Sequence, residues 1–303
     1  MKKILILGSS NTDMTVKTAA LPAPGETVLG GEFTMSPGGK GANQAVAAKR
    51  AGGDVSFICK VGNDVFGENA LKHYVNEGID VSGALRSDKP SGVALITVDS
   101  EAENCIVVAS GANVDINDAD IEASRALLES CDILLMQLEI PVPAVLKAAR
   151  IAFEAGATVV LNPAPYAELP EEIFKYVSLF IPNETELSSF SGVQVTDQES
   201  ACKAAQVLFD KGVGKMIVTM GSKGSLILDG GDPQFVQAYK VKAMDTTGAG
   251  DTYCGSICVA IAEGKSLKDA AQFACASSAI SVTKMGAQTA IPMRPEIEAF
   301  MAR

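Results

Sequence analysis

The sequence has no tryptophan, one histidine (His73) and no C-x-x-C pair among its seven cysteines. Zinc-finger and zinc-protease spacings need paired Cys or His ligands, so they are excluded. Cys59, Cys105, Cys131, Cys202, Cys254, Cys258 and Cys275 are scattered and odd in number. That pattern fits reduced thiols in a cytoplasmic protein better than a disulfide framework. Basic runs are also missing: none is longer than Lys2-Lys3, and the net charge is −11. A nucleic-acid binder would need a basic stripe to neutralise phosphates, so DNA and RNA are not expected partners. No stretch reaches the roughly 18 apolar residues of a membrane span. The run Ile4–Leu7 after the two lysines is shorter than a signal-peptide core of about 7–15 residues and reads as a buried strand.

Two common nucleotide-binding loops are absent as well. A P-loop needs G-x-x-x-x-G-K-[ST]. The only G-K-S string, Gly264-Lys265-Ser266, has Val259 where the first glycine belongs. A dinucleotide fingerprint should follow the first strand, but Leu7 is followed by Gly8-Ser9-Ser10-Asn11-Thr12-Asp13. A nicotinamide dehydrogenase is correspondingly disfavoured.

What is present is an alternation. Short Val/Ile/Leu-rich runs (KILILG, VSFICKVG, ILLMQLE, TVVLNP, SLFIPN, KMIVTMG) alternate with amphipathic stretches such as GANQAVAAKRAG, FGENALKHYVNEG and PAVLKAARIAFEAG. Nearly continuous apolar strands between helices indicate a mainly parallel sheet covered on both faces, an α/β fold that binds ligands beyond the strands' carboxyl ends. Hydrophobic residues make up 47% of the chain but aromatics only 5%, so the core is small and aliphatic. Two segments break the alternation, 26–39 and 91–111. They read as strands joined by turns, the second a hairpin around 99–104. They suggest a β-sheet lid (segments roughly 14–38 and 91–111) on a single domain spanning 1–303. Capping boxes are expected at Thr196–Glu199 and Ser266–Asp269.

The chemistry is carried by Asp245-Thr246-Thr247-Gly248-Ala249-Gly250-Asp251 ahead of a helical run. A Gly-Ala-Gly turn opening a helix leaves free N–H groups at the positive end of the dipole, where a transferring phosphoryl group is stabilised. A carboxylate beside a phosphate site makes sense if it faces the nucleophile and accepts its proton. Spacing alone leaves a second reading open, in which Asp251 only caps the helix.

With SPGGKGANQAVAAKRAG near the N-terminus, DTTGAGD resembles the paired signatures of the ribokinase-like (PfkB) carbohydrate kinases. The phrases GSSNTD, GGKGANQA, VGNDVFG, MQLE, LNPAP, PNETE, TMGSKG, DTTGAGD and KMGAQ follow in family order. The resemblance implies a ribokinase-like three-layer αβα sandwich with a β-lid. It also implies transfer of the ATP γ-phosphoryl group to a small sugar: D-ribose at O5, with deoxyribose, another sugar or a nucleoside as alternatives. A sugar-binding protein without turnover is the rival from another class.

By the same resemblance, Asn11, Asp13, Gly39, Lys40, Asn43 and Glu139 would hold the sugar. Read alone, Asn11 and Asp13 suit an Asx turn and Lys40 a solvated surface. Asn183, Glu186, Thr219, Gly221 and Gly224 would lie along ATP and Mg²⁺, with Cys275 beside the adenine where relatives often carry histidine. Glu184 and Glu186 would equally suit a helix start. Gly248, Ala249 and Gly250 would form the anion hole, with Asp251 as base. A K⁺ site would draw on Asp245, Thr247, Ser281, Lys284 and Gly286, with Ala290 replacing the usual serine. A homodimer through the lid is expected.

Overall fold

The computed structural model describes residues 2–101 and 103–303. In chain order the elements are β1 (Lys3–Leu7), β2 (Asn11–Lys17), β3 (Phe33–Gly38), α1 (Lys40–Arg50), β4 (Asp54–Ile58), β5 (Lys60–Gly62), α2 (Val65–Asn76), β6 (Leu85–Ser87), β7 (Gly92–Val98) and β8 (Asn104–Ala109). There follow α3 (Asp118–Ala123), α4 (Arg125–Ser130), β9 (Ile133–Met136), α5 (Val142–Glu154), β10 (Thr158–Leu161), β11 (Leu179–Phe180), α6 (Glu184–Ser191), α7 (Gln198–Phe209) and β12 (Met216–Thr219). The chain ends with β13 (Gly224–Leu228), β14 (Gln234–Gln237), α8 (Ala249–Ala262), α9 (Leu267–Ser281) and α10 (Arg294–Met301).

The main sheet has eight strands in the order β14-β13-β12-β11-β10-β9-β1-β4. Six are parallel, and β13 and β14 add an antiparallel hairpin at one edge. That hairpin was not read as strands from the sequence, although the turn-forming Asp229-Gly230-Gly231-Asp232-Pro233 links its halves. Alternation along each strand divides the core between the two faces. In β1, Ile4 and Ile6 pack with α1, α2, α8, α9 and α10, while Leu5 and Leu7 pack with α3 to α7. The result is a three-layer sandwich whose strands are buried on both sides.

The second sheet has the order β3-β2-β7-β8. The hairpin expected around 99–104 is present as β7–β8. The other lid segment departs from expectation. Residues 26–32 form no strand, and the lid's central strand, β2, begins at Asn11 rather than 14. The polar, intermediate pattern NTDMTVK hid that strand, because neither face of β2 is fully buried. The cap expected at Thr196–Glu199 lies one residue later, where Asp197 pairs with Ser200. Ser266 accepts from Asp269 N, as its spacing predicts.

Candidate active site

Glu139, Asn162, Asn183 and the residues after β1 and β12 lie at the carboxyl ends of the main-sheet strands, beside the N-termini of α1 and α8. The decisive local feature is the start of α8. Its N-cap is Gly248, with φ of 72° and ψ of 6°, a left-handed conformation that glycine adopts without a Cβ clash. Asp251 is therefore not the cap: it stands in the first turn and is 6% exposed, its carboxylate turned inward to α1. Asn43 Nδ2 donates to Oδ2 at 2.9 Å and Gln44 Nε2 to Oδ1 at 3.0 Å. The capping alternative for Asp251 thus fails. The N–H of Ala249 donates to Thr246 O at 3.2 Å, while those of Gly248 and Gly250 have no protein acceptor among the described residues. The free donors facing the cavity therefore come from the glycines, and the expected contribution of Ala249 is already engaged.

Burial pushes the Asp251 carboxyl up, opposed by the Lys40 ammonium and by the Asn43 and Gln44 amides, while Glu139 adds to the rise. Lys40 is not a solvated surface residue. It lines the cavity, and the Asp251 carboxylate raises its ammonium against the effect of burial, with Glu139 and Glu186 adding to the rise. Holding a cation there favours the ionised form of Asp251 needed to accept a proton.

On the lid side, Asn11 is buried, and its Oδ1 accepts from Asn113 Nδ2 at 2.7 Å. Asp13 follows two residues along β2, on the same face. Its carboxyl is pushed up to about 6 by burial, then by Glu139 and Asp251. Glu139 accepts from Ser9 Oγ at 2.5 Å and from Lys40 N at 3.0 Å, which fixes its orientation. Gly39 has φ of 90°, and a Cβ there would sit 2.8 Å from Asn11 N. The approach of the α1 N-terminus to β2 therefore requires glycine.

A cavity of about 230 Å³ lies at the ends of the other strands and reaches Lys40 and Asp251, while Asn11, Asp13, Gly39, Asn43 and Glu139 lie outside its lining. It is lined by Lys40, Asn183, Glu186, Thr219, Gly248, Ala249, Gly250 and Asp251, together with Asn162, Thr246 and Cys254. Asn183 and Glu186 do form the bland alternative, a reciprocal capping box on α6 with both bonds at 2.8 Å. They also face the cavity, and burial raises the Glu186 carboxyl. Gly221, Gly224 and Cys275 lie outside the cavity's lining. Cys275 is buried in the core with its Sγ 3.9 Å from Ser225 Oγ.

Asp245 Oδ1 accepts from Thr247 N and Oγ1, and Oδ2 from Gly286 N. Those bonds, with Met244 N donating to Val282 O, dock 244–247 on the turn after α9 that holds Ser281, Lys284 and Gly286. The Lys284 side chain points away to Glu296 at 2.9 Å, so only its backbone is available there. Ala290 is buried. No cluster of three His, Cys, Asp or Glu side chains suited to a metal occurs among the described residues.

Several residues at the site were not identified from the sequence. Gln44, Asn162, Ser9 and Asn113 hold or line the functional groups. The available signal for Gln44 was a lone amide inside the small-residue stretch GANQAVAA.

Residues 1–294 match the pfkB family carbohydrate kinase pattern. The chain belongs to the pfkB family. It is 42% identical over 301 residues to ribokinase of Haemophilus influenzae, covering 99% of this chain and 98% of that protein. It is 34% identical over 301 residues to deoxyribokinase of Salmonella typhi, covering 99% and 98%. Its structure superposes on that of Arabidopsis thaliana ribokinase complexed with ribose and ATP with a TM-score of 0.93. That pair is 29% identical, covering 100% of this chain and 99% of the other.

Proposed function

We propose that this pfkB-family kinase transfers the γ-phosphoryl group of ATP to O5 of D-ribose, giving D-ribose 5-phosphate and ADP. The observation that carries the reading is the placement of Asp251. It is a buried carboxylate aimed by two amides, one helical turn from free N–H groups at a helix N-terminus. The sugar lies between the lid and Asp251, with Asn11, Asp13, Gly39, Lys40, Asn43 and Glu139 around its hydroxyls. Asp251 takes the O5 proton as that oxygen bonds to phosphorus. The bond from phosphorus to the bridging oxygen breaks, and ADP leaves with its electron pair. Gly248 and Gly250 N–H groups and the Lys40 ammonium neutralise the charge on the transferring group.

Asn183, Glu186 and Thr219 hold the phosphate end of ATP, and Gly221 and Gly224 shape the turn beside it. Mg²⁺ would supply neutralisation of the phosphate charge, and it would need few protein ligands because it keeps several waters. A K⁺ ion would be held by Asp245, Thr247, Ser281, Lys284 and Gly286. Ala290 offers no hydroxyl there, so the ion would have one ligand fewer.

The lid supports a homodimer. Phe33, Met35, Leu95, Ile106, Val107 and Val108 are all at least half exposed. Exposed apolar side chains spread over β3, β7 and β8 mark an interaction surface, and a second copy's lid matches them in chemistry. No described helix is long and apolar enough to cross a membrane. Seven free thiols, five of them buried, suit the cytoplasm.

The relative that is a deoxyribokinase keeps 2-deoxyribose as the second reading. ADP release from ATP and Mg²⁺ across ribose, 2-deoxyribose, hexoses and nucleosides, with and without K⁺, separates the two. Highest kcat/KM on ribose supports the proposal, highest on 2-deoxyribose supports the second reading, and no ADP with any sugar overturns both.

A further inference from the structure

Behind Asp251 lies a run of buried amides of which the phosphoryl-transfer reading uses only the end that meets the carboxylate. Gln44 Nε2 donates both to Asp251 Oδ1 and to Asn162 Oδ1, each at 3.0 Å. Gln137 Nε2 donates to Gln44 Oε1 at 2.6 Å, and Asn162 Nδ2 donates to Ile181 O at 2.9 Å. Gln44 and Gln137 are fully buried and Asn162 is 9% exposed.

The polarity of this run is forced. A backbone carbonyl only accepts, so Ile181 O fixes the nitrogen of Asn162 and turns its oxygen toward Gln44. Gln44 must then present its NH₂ to Asn162, and the same NH₂ faces Asp251. Its oxygen faces Gln137, which must donate in turn. The Gln137 oxygen is left over: it is the one buried side-chain polar atom without a partner among the described residues. It lies against Gly8, where a Cβ would come within 2.0 Å. Flipping Gln137 would give its oxygen no better neighbour and set two oxygens face to face at Gln44. An orphaned acceptor is costly in a buried site. Its presence marks a chain whose direction is set from the other end.

We infer that Gln44, pinned by Asn162 and Gln137, is a positioning residue that holds an obligatory donor against Asp251 and so keeps the base ionised and aimed. The inference rests on the reading of Asp251 as the base. The other groups facing Asp251 are Lys40 on α1, Glu139 after β9, Glu186 on α6, Asp13 on β2 and Cys254 on α8. Four of these are acids or a thiol and only Lys40 is a cation. The Lys40 ammonium leads the opposition to burial, and the Asn43 and Gln44 amide donors add to it. Asn43 serves the second carboxylate oxygen similarly, its own Oδ1 accepting from Gln288 Nε2 at 3.0 Å.

The test uses Gln44→Met, which removes the donor at similar size, and Gln137→Leu, which leaves the Asp251 contact in place but unpins it. In protein labelled with ¹³C at the aspartate carboxyls, the Asp251 signal is assigned by its loss in Asp251→Asn. The titration midpoint of that signal should rise by about one pH unit in Gln44→Met and in the same direction, by less, in Gln137→Leu. The acid limb of kcat should move with it, and kcat should fall about 10- to 100-fold with KM for sugar and ATP within about 2-fold. An unchanged midpoint and acid limb in either folded variant would overturn the inference and reduce the run to packing. The carboxyl titration needs no turnover, so a failure of the sugar-kinase reading registers separately, as absent ADP release by the wild type. Should Gln44→Met fail to fold, Gln137→Leu alone decides.

Discussion

Asp13 illustrates how a single residue trades stability for binding. Its carboxyl, ordinarily near 3.8, titrates at about 6 in the folded chain because it is buried beside Glu139 and Asp251. The folded state thus binds this proton more tightly than the unfolded state. Stability from this group is lost as pH rises from about 4 to 6, and the deficit persists at pH 7. Asp13→Asn should therefore raise stability at pH 7 by about 1–3 kcal/mol, seen as a higher urea midpoint, while sugar affinity drops. A lower midpoint would show that Asp13 is held by a partner rather than strained. In the wild type, kcat/KM for the sugar should fall as pH drops through about 6, where Asp13 stops accepting hydroxyl hydrogens. A titration calorimetry series with pH gives the same curve for binding alone. Asp251 was singled out in the sequence because it follows a Gly-Ala-Gly turn that opens a helix, whereas Asn11, Asp13 and Glu139 were reached through the family resemblance, Asn11 and Asp13 lying within β2. Lys40 was legible only through the family pattern, since one lysine in a glycine-rich turn gives no hint that it points inward.

At the scale of elements, the site depends on how closely α1 and α8 pack. Gly255 lies one turn after Asp251, on the same face of α8. A Cβ at Gly255 would sit 2.5 Å from Gln44 O and 2.7 Å from the Ala47 Cβ. This contact allows Asn43 and Gln44 to reach the Asp251 carboxylate. Gly255→Ala should push the helices apart, costing about 1–3 kcal/mol by thermal unfolding. It should also lower kcat by about 10-fold or more, with sugar KM changed less. Unchanged kcat in a destabilised protein would show that the helix spacing serves packing alone. Helices with strong apolar period, such as α5, and strands buried on both faces, such as β1 and β9, were readable from pattern. The helix crossing was not, because Gly255 and the alanines opposite it carry no signal until both helices are in place. The lid strand β2 escaped for the reason that makes it useful: its side chains are polar and half-buried, so no alternation of apolar residues marks it.

Across the whole molecule, the proposed function puts the nucleotide at the ends of the main sheet and the sugar under the smaller sheet. Every residue of β8 is exposed, and Val107 is 60% exposed. If the lids pair between subunits, Val107→Asp with Val108→Asp should shift sedimentation from dimer to monomer. It should also weaken sugar KM through loss of lid order, with smaller change in ATP KM. Sedimentation as a monomer by the wild type would remove that role from the lid. The α/β class and the cavity's place beyond the strand ends followed from the alternation of apolar strands and helices. The antiparallel β13–β14 edge did not, because it lies outside that alternation.

The most direct measurement is ADP release with ribose, ATP and Mg²⁺ by wild type and Asp251→Asn, alongside thermal unfolding of both. A base at Asp251 requires the mutant to lose about 10²–10⁴ in kcat. Its unfolding midpoint should stay near that of the wild type, because removing a buried carboxylate is offset by setting the substituted amide's NH₂ against the Asn43 or Gln44 donor. A folded mutant that keeps the wild-type rate would contradict it.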